Sequence, residues 1–354
     1  MAVKNMFEDM AKSTSSWLSG KGEENMVVLA TRVRMARNIQ GCLYPSAADN
    51  ETNEKIVKYF SSAYGRSEKL KDGQFVKSEE LDQLDRDFLV ERHLMSPMFM
   101  RDDEIRGLFI NGDEQVSIMV NEEDHIRMQA LVPGLNLKEA LAKITEYDNE
   151  LGKYIEYDYD PDFGFLTSCP TNVGTGMRAS ALIHLPGLVI TKDIDRLITK
   201  ITKMNIAVRG FYGEGTDVLG NLFQVSNQRT LGVSEDEILN SITNVCRMII
   251  DEEAAARKLL LDEASEQIQD KIWRSFGILK HARVLSSDEV MNLLSALRLG
   301  AAMEILDGVD IPLINELLLL SQPAHLQKYY GEEMDQEQRD IVRAEMVREK
   351  LMNC

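Results

Sequence analysis

No stretch of the 354-residue chain approaches the ~18 uninterrupted apolar residues of a membrane-spanning helix. The opening "MAVKNMFEDMAKSTSSWLSGKG" sets acids among its apolar residues where a signal peptide carries a continuous apolar core. A cytoplasmic protein with no membrane role is expected. Cysteine is scarce: Cys42, Cys169, Cys246 and Cys354 contain no C-x-x-C pair, which argues against a disulfide framework and against a cysteine zinc site. Positive charge is in deficit as well. Forty Lys and Arg against 58 Asp and Glu leave a net charge of -18, which opposes non-specific attraction to nucleic acid or anionic lipid, so no direct nucleic-acid partner is expected. Histidine numbers only five, and none stands in a Cys-His catalytic signature. What is present is an apolar content of 44%, enough for packed cores, on a chain long enough for two domains.

Two kinds of periodicity organise it. "NETNEKIVKYFSSAY" and "LKEALAKITEYDNEL" space apolar residues as helices do, at Ile56, Val57, Phe60 and Tyr64 and at Leu137, Leu141, Ile144 and Leu151. "QVSIMVN" and "LFQVSN" alternate as strands do. Beyond about residue 250 the strand pattern fades, and successive helices follow, with starts marked by Ser286/Glu289 and by Pro312. The expected organisation is an N-terminal segment over 1–24, an α+β domain over 25–255 whose largely antiparallel sheet is flanked by helices, and an all-helical domain over 256–354.

Several motif look-alikes fail on context. Gly174, Gly176 and Ala179 spell a dinucleotide-fold fingerprint, but the "RASALIHLPG" behind them reads as a strand stopped by Pro186 and Gly187, where a helix is required. A Walker loop needs Lys-Ser/Thr where Met177-Arg178 stands, and the "DFG" at Asp162 to Gly164 has no companion kinase motifs. Cys169, ahead of Pro170, reads either as a small buried residue or as a thiolate nucleophile.

The remaining signal is charge at strand ends. Arg32 and Arg34, two apart on an extended run, leave the same face, as either a solvated edge or a phosphate clamp. Glu122 and Glu123 follow a strand with Arg127 close by; Arg209 ends another strand, and Glu214 sits in a glycine-rich turn. With Arg178 these make five arginines with acids at two separate places, a parts list for phosphoryl transfer to a cationic acceptor.

Four segments in order, "ATRVRMARN", "VNEEDHIR", "SCPTNVGTGMRAS" and "RGFYGEG", resemble the phosphagen kinases, the ATP:guanidino phosphotransferases; "LGNLFQVSNQRTLG" and the helical tail are similar to the bacterial protein-arginine kinases within that family. The resemblance implies a nucleotide site formed by Ala30, Thr31, Arg32, Val33, Arg34, His93, Arg127, Arg178, Ala179, Ser180, Ala181, Leu182, Arg209, Gly210, Phe211, Tyr212 and Gly213. ATP with Mg2+ is implied, the ion carried on phosphates and water with no dedicated protein ligand set. A guanidinium is a poor nucleophile until carboxylates align it and remove a proton; Glu123, as general base, and Glu214 match the family acids, and Cys169 the family cysteine beside them. Ala30-Thr31 replaces the usual Ser-Ser.

Small-molecule phosphagen kinases carry a helical domain ahead of the first arginine motif, and here only about thirty residues precede Arg32, so an acceptor site open to arginine side chains of other proteins is expected. In the tail, Arg339, Asp340, Arg343 and Ala344 match an RDxxRA motif associated with regulatory phosphoarginine binding; Arg339 and Arg343, four apart, would share one helical face. The resemblance further implies a homodimer formed through the helical domain, an adaptor-activator protein, and a stress-response role marking proteins for a Clp-type chaperone-protease. Two alternatives stand beside it: a kinase of a free guanidino metabolite, and a non-catalytic phosphoarginine-binding adaptor.

Overall fold

A computed structural model describes residues 2–100, 105–210 and 219–352. In chain order its elements are α1 (Ala2–Ala11), β1 (Val28–Arg37), α2 (Asn50–Arg66), β2 (Gly73–Lys77), α3 (Gln83–Glu91), β3 (Gly107–Asn111), β4 (Val116–Val120), β5 (Ile126–Pro133) and α4 (Leu137–Leu151). A small hairpin follows, β6 (Tyr159–Asp160) and β7 (Gly164–Phe165), then β8 (Met177–His184), α5 (Pro186–Ile190), α6 (Ile194–Thr202), β9 (Ile206–Gly210) and β10 (Leu222–Asn227). The rest is helical: α7 (Glu235–His281), α8 (Ser287–Ala302), α9 (Ile311–Leu320), α10 (Pro323–Tyr330) and α11 (Gln336–Lys350).

Eight strands form one antiparallel sheet in the order β2-β3-β4-β5-β1-β8-β10-β9. One face is largely apolar: Val33 and Met35 of β1, Met128 and Ala130 of β5, Ala179 and Ala181 of β8 and Val225 of β10 pack against α2, α4, α6 and the first half of α7. The segments expected to be helical are α2 and α4, with Ile56, Val57, Phe60, Ile144 and Leu151 buried. Those expected to alternate are β4 and β10. The "RASALIHLPG" segment is a strand, β8, followed only by the one-turn α5.

The opposite face is covered in two patches. Over β2, β3 and β4, Val76, Leu108, Ile110 and Met119 meet Phe7 of α1 and Phe88 of α3. Over the end of the sheet formed by Leu29, Leu131 and Leu222, the covering layer is the helical tail together with Trp17. The tail therefore shares a core with the sheet. α7 runs through 255/256, and its one non-helical residue is Ala264 (φ -144°, ψ 36°), where the helix kinks.

Candidate active site

Between the two covered patches the sheet face stays open, and strand alternation fills the gap with charge. On β1, residues 33, 35 and 37 point into the apolar core, so 32, 34 and 36 point out of it. Arg34 lies directly opposite Arg178 of β8 and Gln129 of β5; Ala36 lies opposite Arg127, and Gln224 of β10 opposite Arg209 of β9. A cavity of about 770 Å3 results, lined by Arg32, Arg34, Arg127, Arg178 and Arg209 together with His93, Glu123 and Cys169. Like charges directly across a ladder repel.

The electrostatics divide these arginines. Burial, then Arg127 and Arg178, push the Arg32 guanidinium down to about 10. Burial and the same crowd of arginines, with Arg32 added, hold Arg34 well below its ordinary value, and Glu122 offsets this only in part. Among the described residues no ion pair or side-chain hydrogen bond reaches either guanidinium, and Arg34 Nε is buried without a partner. Arg127 is the exception: it is ion-paired to Glu122 and lies 3.5 Å from Glu123 Oε2. Burial alone would raise the Glu122 carboxyl, but Arg127, the Ser96 hydroxyl (2.7 Å) and the Glu123 N–H (2.9 Å) hold it below its ordinary range. Glu122 is thus a buried anchor. Glu123 stays part-exposed in the cavity; burial raises its carboxyl, Arg127 partly offsets this, and Asp124 and Glu122 add to it. A carboxylate with a raised pKa is the stronger base.

Cys169 is half-buried, its Sγ 3.0 Å from Thr171 Oγ1. Its loop is tethered through Asp124, which is fully buried: Oδ1 accepts from the Ser168 N–H and from Asn38 Nδ2, both at 2.7 Å. The glycines that imitate phosphate loops are explained here by backbone. Gly174 has φ +110° and Gly176 φ +63°; a Cβ on Gly174 would lie 2.4 Å from the Thr230 carbonyl oxygen, and one on Gly176 2.6 Å from that of Ala36. Only glycine fits either position without strain.

His93, at φ +59°, accepts a hydrogen bond at its carbonyl from Gln129 Nε2 (2.6 Å), and its ring lies edge-on to Trp17 at 5.3 Å. Burial, then Arg32, pushes the imidazole down to about 3, so it is neutral. Thr31, Ser180, Leu182 and Ala30 line a small recess continuous with this corner. Val33, Ala179 and Ala181 do not line the site: alternation turns them into the core on the other sheet face, and their side chains meet no ligand there. Gly210 ends β9 as a buried residue outside the cavity lining. Glu214, Phe211, Tyr212 and Gly213 lie outside the described residues.

The tail motif differs from its expected geometry. Arg343 is buried, donating through Nε to the Ser321 carbonyl (2.7 Å) and through Nη1 to the Leu285 carbonyl (2.8 Å), and it is paired with Asp340. Ala344 is in the core. Arg339 is only partly buried and donates to the Met334 carbonyl at 2.8 Å. Two parallel exposed forks are therefore absent, because a bare helical period does not show which neighbour covers one side of the helix.

Among the described residues no group of three or more His, Cys, Asp or Glu is placed to hold a metal ion, and no helix is long and apolar enough to cross a membrane. Sequence reasoning missed Trp17, Asp124, Gln129 and Gln224, and took Glu122 only as a companion of Glu123. The "NEED" run was a signal for Asp124; nothing marked Trp17.

Residues 53–256 match the model of the ATP:guanido phosphotransferase C-terminal catalytic domain, and residues 265–354 that of the protein-arginine kinase McsB C-terminal domain. A protein-arginine kinase of Desulforamulus reducens is 44% identical over 97% of both chains, and one of Halothermothrix orenii 42% identical over 99% of both. Among solved structures, a duplicated taurocyamine kinase from Schistosoma mansoni aligns at 28% identity and a TM-score of 0.60, over 65% of this chain and 33% of that longer one. Lombricine kinase has the same fold at 24% identity and a TM-score of 0.60, over 68% and 70%. The chain is a kinase and belongs to the protein-arginine kinases of the ATP:guanido phosphotransferase family.

Proposed function

We propose that the open face of the sheet transfers the γ-phosphoryl group of ATP to the guanidinium of arginine side chains in other proteins. The observation that carries this is the pair Arg32 and Arg34, desolvated, crowded by like charge and, among the described residues, without a carboxylate partner, in the same cavity as Glu123. Such a cluster is complete only with a polyanion in it. Arg32, Arg34, Arg178 and Arg209 hold the phosphates, and Arg127 lies between them and the acceptor, fixed by Glu122. Glu123 takes a proton from the guanidinium; the freed nitrogen lone pair forms the N–P bond as the P–O bond to ADP breaks, and the electron pair leaves with ADP. Cys169 and Glu214 belong to the acceptor end of the reading. Mg2+ would enter on the nucleotide, where it neutralises charge between the phosphates; the arginine-rich lining suits an ion held by phosphate and water.

The same reading includes a cytoplasmic homodimer, an adaptor-activator partner, and a role in stress response through marking substrates for a Clp-type protease. Arg339 and Asp340 are its regulatory phosphoarginine contact, with Arg343 as the scaffold behind them. The test is incubation with ATP and a mixed protein substrate, followed by mass spectrometry that preserves the acid-labile P–N bond. Phosphoarginine should appear with the parent chain and not with Glu123→Ala. Phosphorylation of free arginine at rates equal to protein arginine would move the assignment to a metabolite kinase.

A further inference from the structure

Residues 12–27 carry no catalytic motif, yet Trp17 among them lines a recess beside the cavity. The turn Ser16–Leu18 is pinned on both sides: Ser16 Oγ donates to the Asp113 carbonyl (2.6 Å) and Ser15 Oγ to Glu114 Oε2 (3.1 Å), while Asn315 Nδ2 of α9 donates to the Leu18 carbonyl (2.9 Å). This places Trp17, 1% exposed, in the wall of a recess of about 30 Å3 shared with Thr31, Arg32, His93, Ser180 and Gln224. Arg32, His93 and Gln224 also line the main cavity, so the recess is its inner end. The Trp17 indole Nε1 is buried with no hydrogen-bond partner among the described residues. Indole N–H is a donor only, and a buried tryptophan N–H usually finds an acceptor.

We propose that Trp17 is a specificity-determining residue for the nucleotide, its indole N–H donating to an acceptor on the edge of the base. The inference rests on reading the main cavity as the nucleotide site. The recess is the size of one water molecule and too small for a purine, so the base plane lies in the main cavity against His93 and only its edge faces Trp17. The direction follows from the lining. Glu123 and Cys169 line the main cavity and not the recess, whereas Arg32 lines both, so the phosphate-binding arginines separate the acceptor end from the Trp17 end. A neutral His93 beside the recess suits an uncharged heterocycle.

The chain has two tryptophans, and the other, Trp273, is 49% exposed on α7. In full-length Trp273→Phe, emission therefore reports Trp17 alone, and titration with ADP should change it along a curve that matches calorimetric binding. Trp17→Phe keeps the ring and deletes the donor. It should raise KM for ATP by roughly five- to tenfold with little change in kcat, and reduce the preference for ATP over GTP. Unchanged Trp17 emission at saturating ADP overturns the proposal, as does Trp17→Phe with the parental KM and base preference. If Trp17→Phe does not fold, the emission experiment decides alone. Arg178→Ala separates the two readings: if it weakens ADP binding and Trp17→Phe does not, only the Trp17 assignment falls; if neither does, the nucleotide site falls with it.

Discussion

Two sets of arginines in this chain differ in exposure and in partners: Arg37 and Arg92 are fully buried, and Arg32 and Arg34 are half-buried. Arg37 sits on the core side of β1, with Nε and Nη2 on Asp148 at 3.1 and 2.7 Å, Nη1 on the Ala36 and Thr175 carbonyls, and the Phe165 ring 3.6 Å from its centre. Arg92 holds Glu114 and the Met10 and Ser13 carbonyls. Arg34 is on the same strand as Arg37, but three residues away and on the other face, with other arginines as neighbours and, among the described residues, no acid in contact. Arg298 lies between these cases, held by neutral oxygens of Asn315 (2.6 Å) and Asn25 (2.5 Å). Burial by itself therefore says little about function. What distinguishes the site is a desolvated, half-buried charge with no carboxylate in contact among the described residues.

The comparison breaks if the two sets respond alike to truncation. Arg34→Ala should cut turnover by about 10²–10³ or more, the scale of a lost transition-state donor in a dry site, while its melting temperature stays level or rises as repulsion with Arg32 and Arg178 is relieved. Arg37→Ala should do the reverse, losing about 3–5 kcal/mol of stability because Asp148 is left without its partner. Turnover assays and thermal melts on both variants decide the matter; a stability loss in Arg34→Ala as large as in Arg37→Ala would remove the distinction.

The paired acids sharpen the same contrast. Glu123→Gln should lose phosphoryl transfer while calorimetric ADP binding persists, since it removes the base and leaves the arginines in place. The base must be ionised, and burial raises Glu123 above the ordinary 4.5. Activity of the parent should therefore fall, as pH is lowered, at a pH above 4.5. An acid limb at or below that value would place the proton elsewhere.

The smallest expected effect concerns the tail. Arg339→Ala should leave the fold and basal turnover near parental and weaken the response to added phosphoarginine, followed by activity and light scattering. Arg343→Ala should instead lower thermal stability, by about 1–3 kcal/mol, because the Ser321 and Leu285 carbonyls lose their donor. Equal stability losses in both would make the motif purely a packing element.

Legibility in the sequence followed the range of the interaction. Helical and alternating periods located α2, α4, β4 and β10 because amphipathic burial is written locally. Arg32, Arg34, Arg127, Arg178, Arg209 and Glu123 were legible as a set from spaced motifs, and they do converge on one cavity. The same reading overreached where a motif was taken as a block: Val33, Ala179 and Ala181 share a motif with the arginines but occupy the opposite sheet face.

The amino-acid sequence by itself determined the family, through the resemblance of its motifs, and the α+β character and charged faces, since period two along a strand fixes which residues share a face. Only the tertiary structure decided which of those faces is covered. It put Arg37 and Arg343 against acids and carbonyls, left Arg32 and Arg34 without them among the described residues, and folded Trp17 against a recess beside the cavity. Those outcomes depend on which distant element packs over a given face, and no local pattern encodes a contact between Leu18 and Asn315, 297 residues apart.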